Sequence, residues 1–250
     1  MKRRSFGVST LSIIGGLLLW EAASRLAVDN SLFLAAPSQI VVAIFRLATS
    51  GQLSRHIEIS AIEFVLGYVI ASLLGIAIGL LMAESDRAKN ILQPWISGLY
   101  ATPTIALGPL FLLWLGIGIW SKVLVVITLV LFPVVINTEA GLRTTSERLI
   151  EMLRSFGATR RQIFVKVSLP SAAPFVLAGL KLGIGRGLIG VVVAELFGSR
   201  AGLGQLISQS ADSFNMPNLF AAVIILATAG IAMTAGFSWL ERRLVPWTKD

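Results

Sequence analysis

Long apolar segments recur along the chain, and short polar stretches separate them. Because an apolar helix of roughly 20 residues is needed to cross a bilayer, the pattern predicts an all-α polytopic membrane protein with about six transmembrane helices. The predicted spans are residues 8–27, 60–83, 96–117, 123–140, 171–197 and 217–240. We predict one transmembrane domain, residues 1–250, with a first helix and an outer amphipathic segment in 1–59 and core helices in 60–240.

Composition supports this class. The 250 residues are 55% hydrophobic and 14% charged, whereas soluble domains are about 25% charged. The chain has no cysteine, which excludes disulfides and thiolate metal sites. Lys2, Arg3 and Arg4 precede an apolar run as in a secretory signal, but the run contains Glu21 and lacks a small-residue cleavage pattern. We therefore expect a retained first helix.

The formal net charge of +8 would point to nucleic acid in a soluble protein. In a membrane protein, basic residues instead collect on the cytoplasmic side. With both termini cytoplasmic, most Lys and Arg residues fall in the inner segments, six of them between residues 143 and 166. Charge thus predicts cytoplasmic termini and a cytoplasmic segment at residues 141–170, here named the basic loop, without a nucleic-acid partner.

Local signals divide the basic loop into two short helices. Thr144 with Glu147, and Thr159 with Gln162, have the spacing of capping boxes. Gly157 lies between them, where a helix end favours a left-handed residue. Pro170 is expected to end the second helix, so the sequence predicts a compact helix-turn-helix.

The first outer segment, residues 28–59, is too long for a plain turn. Residues 37–47 have helical apolar spacing, and we expect an amphipathic surface helix capped by Ser38. His56 is the only histidine, and we expect it to be solvated or interfacial.

Small residues form stripes on two spans. Gly67, Ala71, Gly75 and Gly79 recur every four residues in the second span. Glycines at residues 179, 183 and 187 have the same spacing in the fifth span. Such faces let helix backbones approach closely. Packing is the preferred interpretation, although smooth faces would also permit sliding.

Prolines interrupt the third and fourth spans. Pro103 and Pro109 each remove a backbone hydrogen bond and are expected to kink the third span. Thr102 and Thr104 either satisfy the freed carbonyls or line a solute path. The fourth span carries Pro133 and Asn137 near its inner end, where a break would connect loop movement to helix movement.

Charged residues in the fifth span are costly within a membrane and indicate function. Lys181 is placed to snorkel, Arg186 lies near mid-membrane, and Glu195 is expected near the outer surface, opening a turn. Arg186 either faces a subunit interface or solute path, or forms a structural ion pair.

No phosphate-binding loop, metal cluster or catalytic triad is present. The chain is therefore not expected to be an enzyme, and any ATP energy must reach it from a partner through the basic loop.

The basic loop has the spacing of a known motif. Glu151 is followed six positions later by Gly157, then nine residues, Val167, one further residue and Leu-Pro. This resembles the EAA loop of ABC importer permeases, a cytoplasmic coupling segment that docks on the ATPase. Met152 and Leu153 replace its two alanines and Val167 its usual Ile. An amphipathic loop without a partner would share this composition but not the spacing.

Motifs across nearly the whole chain are similar to the permease branch of sulfonate, taurine, nitrate and bicarbonate importers. The matching stretches are LAAPS at 34–38, TPTIALGPL at 102–110, WLGIG at 114–118 and AELF at 194–197.

The resemblance implies a type I ABC importer permease fold in the bacterial inner membrane and inward transport of a small anion by alternating access. It implies a second permease subunit as a homodimer, two ATP-binding cassette subunits that bind the ATP, and an extracytoplasmic solute-binding protein. No cofactor is expected in this chain. The expected ATPase-coupling residues are Glu151, Arg154, Phe156, Gly157, Ala158, Arg160, Arg161 and Pro170. The candidate path residues are Thr102, Thr104, Asn137, Arg186 and Glu195.

The alternative function is an ion-coupled secondary transporter or channel. It would favour paired intramembrane carboxylates or an inverted repeat, whereas the sequence places Glu63 and Glu195 at different depths. A membrane enzyme would need catalytic groups that the chain lacks. The solute itself, which could also be an uncharged heterocycle, stays open.

Overall fold

The computed structural model describes residues 2–26 and 34–246, with side chains from residue 10 onward. Its regular elements are all helical, which confirms the all-α prediction. The α-helices are α1 (Lys2–Leu26), α2 (Pro37–Thr49), α3 (Gln52–Glu84), α4 (Asp86–Ala101), α5 (Gly108–Leu115), α6 (Ile119–Arg143), α7 (Glu147–Ser155), α8 (Arg160–Ile163), α9 (Leu169–Gly198), α10 (Leu203–Asp212) and α11 (Met216–Leu244). A 3₁₀ turn, Thr104–Leu107, precedes α5, and a π turn, Phe164–Ser168, joins α8 to α9.

Four helical runs in the described ranges are long and apolar enough to cross a membrane: α3, α6, the run Arg160–Gly198 and α11. Helix α4 and the segment Thr104–Leu115 pass the same test together, with a bend of 86° between them, and count as a fifth crossing if the pair is one broken span rather than a re-entrant loop. These runs contain the predicted spans from residue 60 onward, except that the helical segment of the third span ends at Leu115, two residues before the predicted end. The first predicted span falls in α1, and its last residue lies outside the described ranges.

The third span is broken once rather than kinked twice. The helix axis turns by 86° between Ala101 and Thr104, and Pro109 lies in the first turn of α5, where a missing N–H group costs little. The Thr102 hydroxyl donates to the carbonyl of Gly98 at 2.9 Å. Gly98 O also accepts the Thr102 N–H at 3.1 Å, and Leu99 O, which Pro103 would leave free, accepts the same N–H at 3.2 Å, so the backbone rather than the hydroxyl satisfies the freed carbonyl.

The chain divides into two compact units, and the first comprises Met1–Ser60 and Arg200–Ala227. Its core is apolar. Ile40 and Leu47 of α2 are buried with Leu203 and Leu206 of α10. The α2 helix is therefore amphipathic as predicted, with one face in this core.

The cap of α2 does not come from Ser38. The helix begins at Pro37, and Ala36 is the N-cap residue. The Glu21 carboxylate accepts hydrogen bonds from the Ser38 backbone N–H at 3.0 Å and from its hydroxyl at 2.8 Å. The expected Ser38 cap is wrong because a carboxylate from α1 satisfies the free N–H group.

His56 has a structural role in the first unit. Its ring is half-buried, and Nδ1 lies 2.7 Å from the carbonyl oxygen and 3.0 Å from the amide nitrogen of Gly202. The Ser60 hydroxyl accepts the N–H of Leu203 at 2.8 Å. His56 and Ser60 therefore fix the start of α10, a role that the expectation of a solvated or interfacial histidine missed.

The second unit comprises Ala61–Ser199 and Thr228–Asp250 and is built around α6. Val126, Val130 and Val134 of α6 are each 0% exposed. Glycines of α3 and α9 lie against this helix so closely that added Cβ atoms would clash: Gly67 with Val126 at 2.6 Å, Gly75 with Val134 at 2.8 Å, Gly79 with Thr138 at 2.6 Å and Gly179 with Asn137 at 2.8 Å. The packing role predicted for both stripes is confirmed.

We expect Gly79→Ala to destabilise the protein. The new methyl group would lie 2.6 Å from Thr138 Cβ and 2.9 Å from the Val135 carbonyl oxygen, and neither can move without shifting α6. Overpacking of this kind costs about 1–3 kcal/mol. Thermal unfolding in detergent should show a lower melting temperature. At Gly236 of α11 an added Cβ would meet nothing within 4 Å, so Gly236→Ala is the matched control and should melt no lower than the wild type.

Candidate functional site

The turn of the basic loop is fixed by backbone hydrogen bonds. After α7, Gly157 adopts a left-handed φ of 78°. Its N–H donates to Arg154 O at 2.9 Å, and the N–H of Ala158 donates to Leu153 O at 3.0 Å. This pair of bonds forms a Schellman motif with glycine at C′, so the predicted role of Gly157 is confirmed.

One of the two predicted capping boxes is present. At the start of α8 the Gln162 N–H donates to Thr159 Oγ1 at 3.3 Å, and the Thr159 N–H donates to Gln162 Oε1 at 2.8 Å. The box of Thr144 with Glu147 is wrong. Helix α6 continues to Arg143, and the Thr144 hydroxyl donates back to Gly141 O at 2.7 Å. The N-cap of α7 is Ser146, which makes no side-chain capping bond.

The expectation that Pro170 ends a helix is also wrong. It lies in the first turn of α9, and the helical run continues from Arg160 to Gly198. In the preceding π turn, the N–H of Leu169 reaches back to Phe164 O. Proline is tolerated in a first turn, where its missing N–H needs no intrahelical partner. The widened turn therefore accommodates Pro170 without a break.

Three of the coupling residues expected from the sequence, Phe156, Gly157 and Ala158, line one open groove. The groove has a volume of about 360 Å³ and includes Leu153, Phe156, Gly157, Ala158 and Lys166 in its lining. The Phe156 side chain is 80% exposed, although an aromatic ring would normally be buried. Glu151, Arg154 and Arg161 are exposed on the same loop. The basic loop therefore exposes a groove of mixed polar and apolar lining with an exposed aromatic ring beside it.

Arg160 ties the basic loop to α3. Its Nη2 lies 2.9 Å from Glu84 Oε2, at the last residue of that helix. Arg154 and Arg160 also line a second pocket with Glu84, of about 140 Å³. Sequence reasoning missed Glu84, because no local pattern relates it to a residue 76 positions away.

A second tie joins the beginning of the basic loop to α3 and α4. Arg143 Nη2 lies 3.1 Å from Met82 O and 3.0 Å from Asp86 Oδ1, and its Nε lies 2.7 Å from Glu139 Oε1. The beginning and the second half of the basic loop are therefore each connected by an arginine, Arg143 or Arg160, to α3 or its C-terminal neighbour.

The structure does not gather all the candidate path residues. Thr102 is exposed and Thr104 is half-buried at the broken span. Asn137 is half-buried in α6, where its amide donates to Pro133 O at 2.8 Å. This bond is a side-chain contact within the helix, and α6 runs on to Arg143 without the expected break.

Arg186 is exposed on α9 and contacts α4. Its Nη2 lies 3.4 Å from the Tyr100 hydroxyl, and its guanidinium carbon is 5.8 Å from the centre of that ring. Lys181 instead pairs with Glu241 at 3.4 Å. Of the two roles expected for Arg186, the structural ion pair is absent from the described residues. Tyr100, which sequence reasoning missed, is its neighbour.

Glu195 is not at a surface turn. It is 0% exposed, and α9 continues past it to Gly198. Its carboxyl group is hydrogen-bonded to that of Glu63, and Lys122 interacts electrostatically with both. Glu63 and Lys122 are each 3% exposed. The expected difference in depth between Glu63 and Glu195 is therefore wrong, and three helices contribute to one buried charge cluster, named here the Glu63–Lys122–Glu195 cluster.

Comparison with known families gives a match over most of the chain. The model for the binding-protein-dependent transport system inner membrane component matches residues 71–250.

Three similar proteins carry different solute names. A formylaminopyrimidine transport permease protein, ThiX, of Halalkalibacterium halodurans is 34% identical over 96% of this chain and 95% of its own. A putative aliphatic sulfonates transport permease protein, SsuC, of Bacillus subtilis is 35% identical over 92% of this chain and 84% of its own. The taurine transport system permease protein TauC of Escherichia coli is 30% identical over 97% of this chain and 90% of its own.

Two solved structures share the fold. The MetNI methionine ABC transporter in inward-facing conformations has a chain that is 18% identical, with a TM-score of 0.61 over 78% of this chain and 95% of that one. A chain of an amino acid ABC transporter crystallised with histidines is 20% identical, with a TM-score of 0.62 over 80% of this chain and 96% of that one. The type I importer permease fold expected from the sequence is thus confirmed.

Proposed function

The chain belongs to the family of binding-protein-dependent transport system inner membrane components, and from this premise we propose that it carries a small anion inward by alternating access. As a permease component of an ABC transporter it is not itself an enzyme, and a separate subunit hydrolyses ATP. It works with an ATPase and with a solute-binding protein. Our further proposals are a permease homodimer, two ATPase subunits and cytoplasmic termini.

The basic loop is the observation that supports energy transfer from the ATPase. Phe156 is 80% exposed beside the groove, and the Schellman turn at Gly157 holds it there. Arg160 connects the loop to the end of α3 through Glu84, and the run Arg160–Gly198 continues it into a membrane span. A force on the groove would therefore reach two spans directly. By this proposal Glu151, Arg154, Phe156, Gly157, Ala158, Arg160 and Arg161 meet the ATPase, while Pro170 supports the run behind them.

A small anion such as a sulfonate, nitrate or bicarbonate is the proposed solute. Two relatives are named for sulfonates or taurine, and a third of similar identity is named for formylaminopyrimidine. These names do not single out one solute. Thermal shift of the cognate binding protein with small anions is the direct measurement.

An ion-coupled transporter is the second candidate, because the buried Glu63–Lys122–Glu195 cluster is the kind of intramembrane charge group that such proteins use. The two candidates differ in their energy source.

We expect vesicles with the permease, its ATPase and its binding protein to take up solute only when ATP is supplied on the ATPase side. The chain has no ATP-binding loop, so ATP must act through the partner. The measurement is uptake of the binding protein's ligand. Vesicles with the permease alone and an imposed ion gradient are the control, and gradient-driven uptake there would overturn the importer proposal in favour of the second candidate.

A further inference from the structure

A polar stripe runs along the exposed side of α4. Gln93, Ser97 and Tyr100 are spaced by four and three residues, which places them on one face of the helix. All three are exposed, although the surrounding surface is apolar, with Trp95 at 70% and Leu99 at 48% exposure.

The stripe presents hydrogen-bond donors. Gln93 Nε2 lies 3.3 Å from Ser97 Oγ and donates to it, so the serine hydroxyl keeps its own proton available. Arg186 Nη2 likewise lies 3.4 Å from Tyr100 Oη, which accepts from it and keeps its proton. Serine, tyrosine and arginine can therefore all donate to a further group.

Arg186 adds a positive charge that is not paired with an acid in the described part of the chain. Among the described residues no carboxylate oxygen lies within 4.0 Å of its guanidinium. Tyr100 holds the guanidinium over its ring and is itself held by the buried Phe132, with ring centres 6.1 Å apart. Lys181, on the same helix, shows the contrasting case of a cation paired with Glu241.

Two glycines leave space beside these donors. A Cβ added at Gly98 of α4 or at Gly185 of α9 would meet nothing within 4 Å, whereas one at Gly187 would lie 2.9 Å from Phe64. Helix interiors disfavour glycine relative to alanine, and packing within this chain does not require it at residues 98 and 185. The open space lies on the exposed side.

This surface is unsuited to lipid. Arg186 lies in the middle third of α9, and an unpaired arginine at that depth is costly against hydrocarbon and instead faces protein or a water-filled cavity. The neighbouring serine, glutamine and tyrosine fit a wet cavity.

We propose that Gln93, Ser97, Tyr100 and Arg186 form an anion-binding track, in which the guanidinium holds an oxyanion in bidentate fashion and the hydroxyl groups donate to its remaining oxygens. The inference rests on the proposed transport function and assigns its recognition chemistry. The preferred ligands are singly charged planar or tetrahedral oxyanions, such as nitrate or a sulfonate, because arginine matches their geometry. An uncharged molecule of the same shape binds much more weakly.

The test measures binding to the purified permease–ATPase complex without the binding protein. The probe is ethanesulfonate, the uncharged comparison is ethyl methyl sulfone, and saturation-transfer NMR reports both. We expect ethanesulfonate to bind, nitrate to compete with it and the sulfone not to bind. Arg186→Gln should weaken ethanesulfonate binding about 10- to 100-fold, the usual effect of losing a charged hydrogen-bond partner.

Three further variants separate a binding role from a structural one. Tyr100→Phe removes only a hydroxyl and should weaken binding about 2- to 10-fold. Arg186→Lys keeps the charge but not the bidentate geometry and should fall between wild type and Arg186→Gln. Lys181→Gln is the matched control, because that cation is already paired, and should bind like wild type.

Absence of ethanesulfonate binding to the wild type, equal binding of the sulfone, or wild-type affinity in both Arg186→Gln and Tyr100→Phe would overturn the track. Co-purification of the ATPase is scored in the same preparations. If the complex assembles but binds no anion, the anion-binding track is refuted and the proposed function is not. If the wild-type chain does not co-purify with any ATPase, the proposed function is refuted.

Discussion

Gly157→Pro is expected to release the ATPase from the permease while the spans stay folded and inserted. Gly157 has a φ of 78° and donates its N–H to Arg154, whereas proline fixes φ at about −65° and has no N–H. The Schellman turn cannot form, and Phe156 leaves the groove. Affinity purification of the tagged permease should recover at least about tenfold less ATPase, since loss of a central aromatic contact costs about 2 kcal/mol or more.

Gly157→Asn is the matched control, because asparagine tolerates left-handed backbone, and it should retain most of the ATPase. Glu151→Lys tests the same contact by charge. Glu151 is exposed, and its side chain makes no hydrogen bond or ion pair within the described residues, so its reversal should weaken docking with little effect on folding. Normal ATPase recovery with both Gly157→Pro and Glu151→Lys would show that the contact lies elsewhere.

Lys122→Met should destabilise the permease more than any other single change discussed here. The lysine is 3% exposed, interacts with Glu63 and Glu195 and donates to Gly118 O at 3.0 Å. Removing one partner of a buried charge group typically costs about 3–5 kcal/mol, because the remaining charge is left uncompensated. For a chain of this size the melting temperature should fall by roughly 6–20 °C.

Lys89→Met provides the matched control for lost charge. Its side chain is 33% exposed and pairs with Glu139 at 2.8 Å, and partly exposed pairs contribute at most about 1 kcal/mol. The double variant Lys122→Met with Glu63→Gln should recover part of the loss, because it removes a buried charge. A wild-type melting temperature for Lys122→Met would refute a cohesive role for the Glu63–Lys122–Glu195 cluster.

Sequence reasoning succeeded where the information is local. Apolar length located the spans from residue 60 onward, the spacing of Thr159 and Gln162 located a capping box, and Gly157 marked a left-handed turn. The same local logic failed at Ser38, where Glu21 from another helix supplies the cap, and at Thr144, because α6 extends farther than its apolar pattern.

Contacts between distant segments were the main omission. Glu195 was expected near the outer membrane surface, at the start of a turn, from its position along the fifth span, but α9 continues past it and partners on α3 and α6 make its burial possible. Glu84 contacts Arg160, 76 positions away, and Tyr100 contacts Arg186, 86 positions away. Spacing along one helix carries no information about such pairs.

The π turn Phe164–Ser168 sets the angle between the groove and the span. It holds one more residue than an α-helical turn over the same length, and each residue in a helix corresponds to a rotation of about 100°. Together with the left-handed turn at Gly157, this surplus residue sets the azimuth of Phe156 about the axis of α9. By the proposed function, the orientation in which the permease meets its ATPase therefore depends in part on a count of residues, in a stretch that also contributes Lys166 and Val167 to the groove.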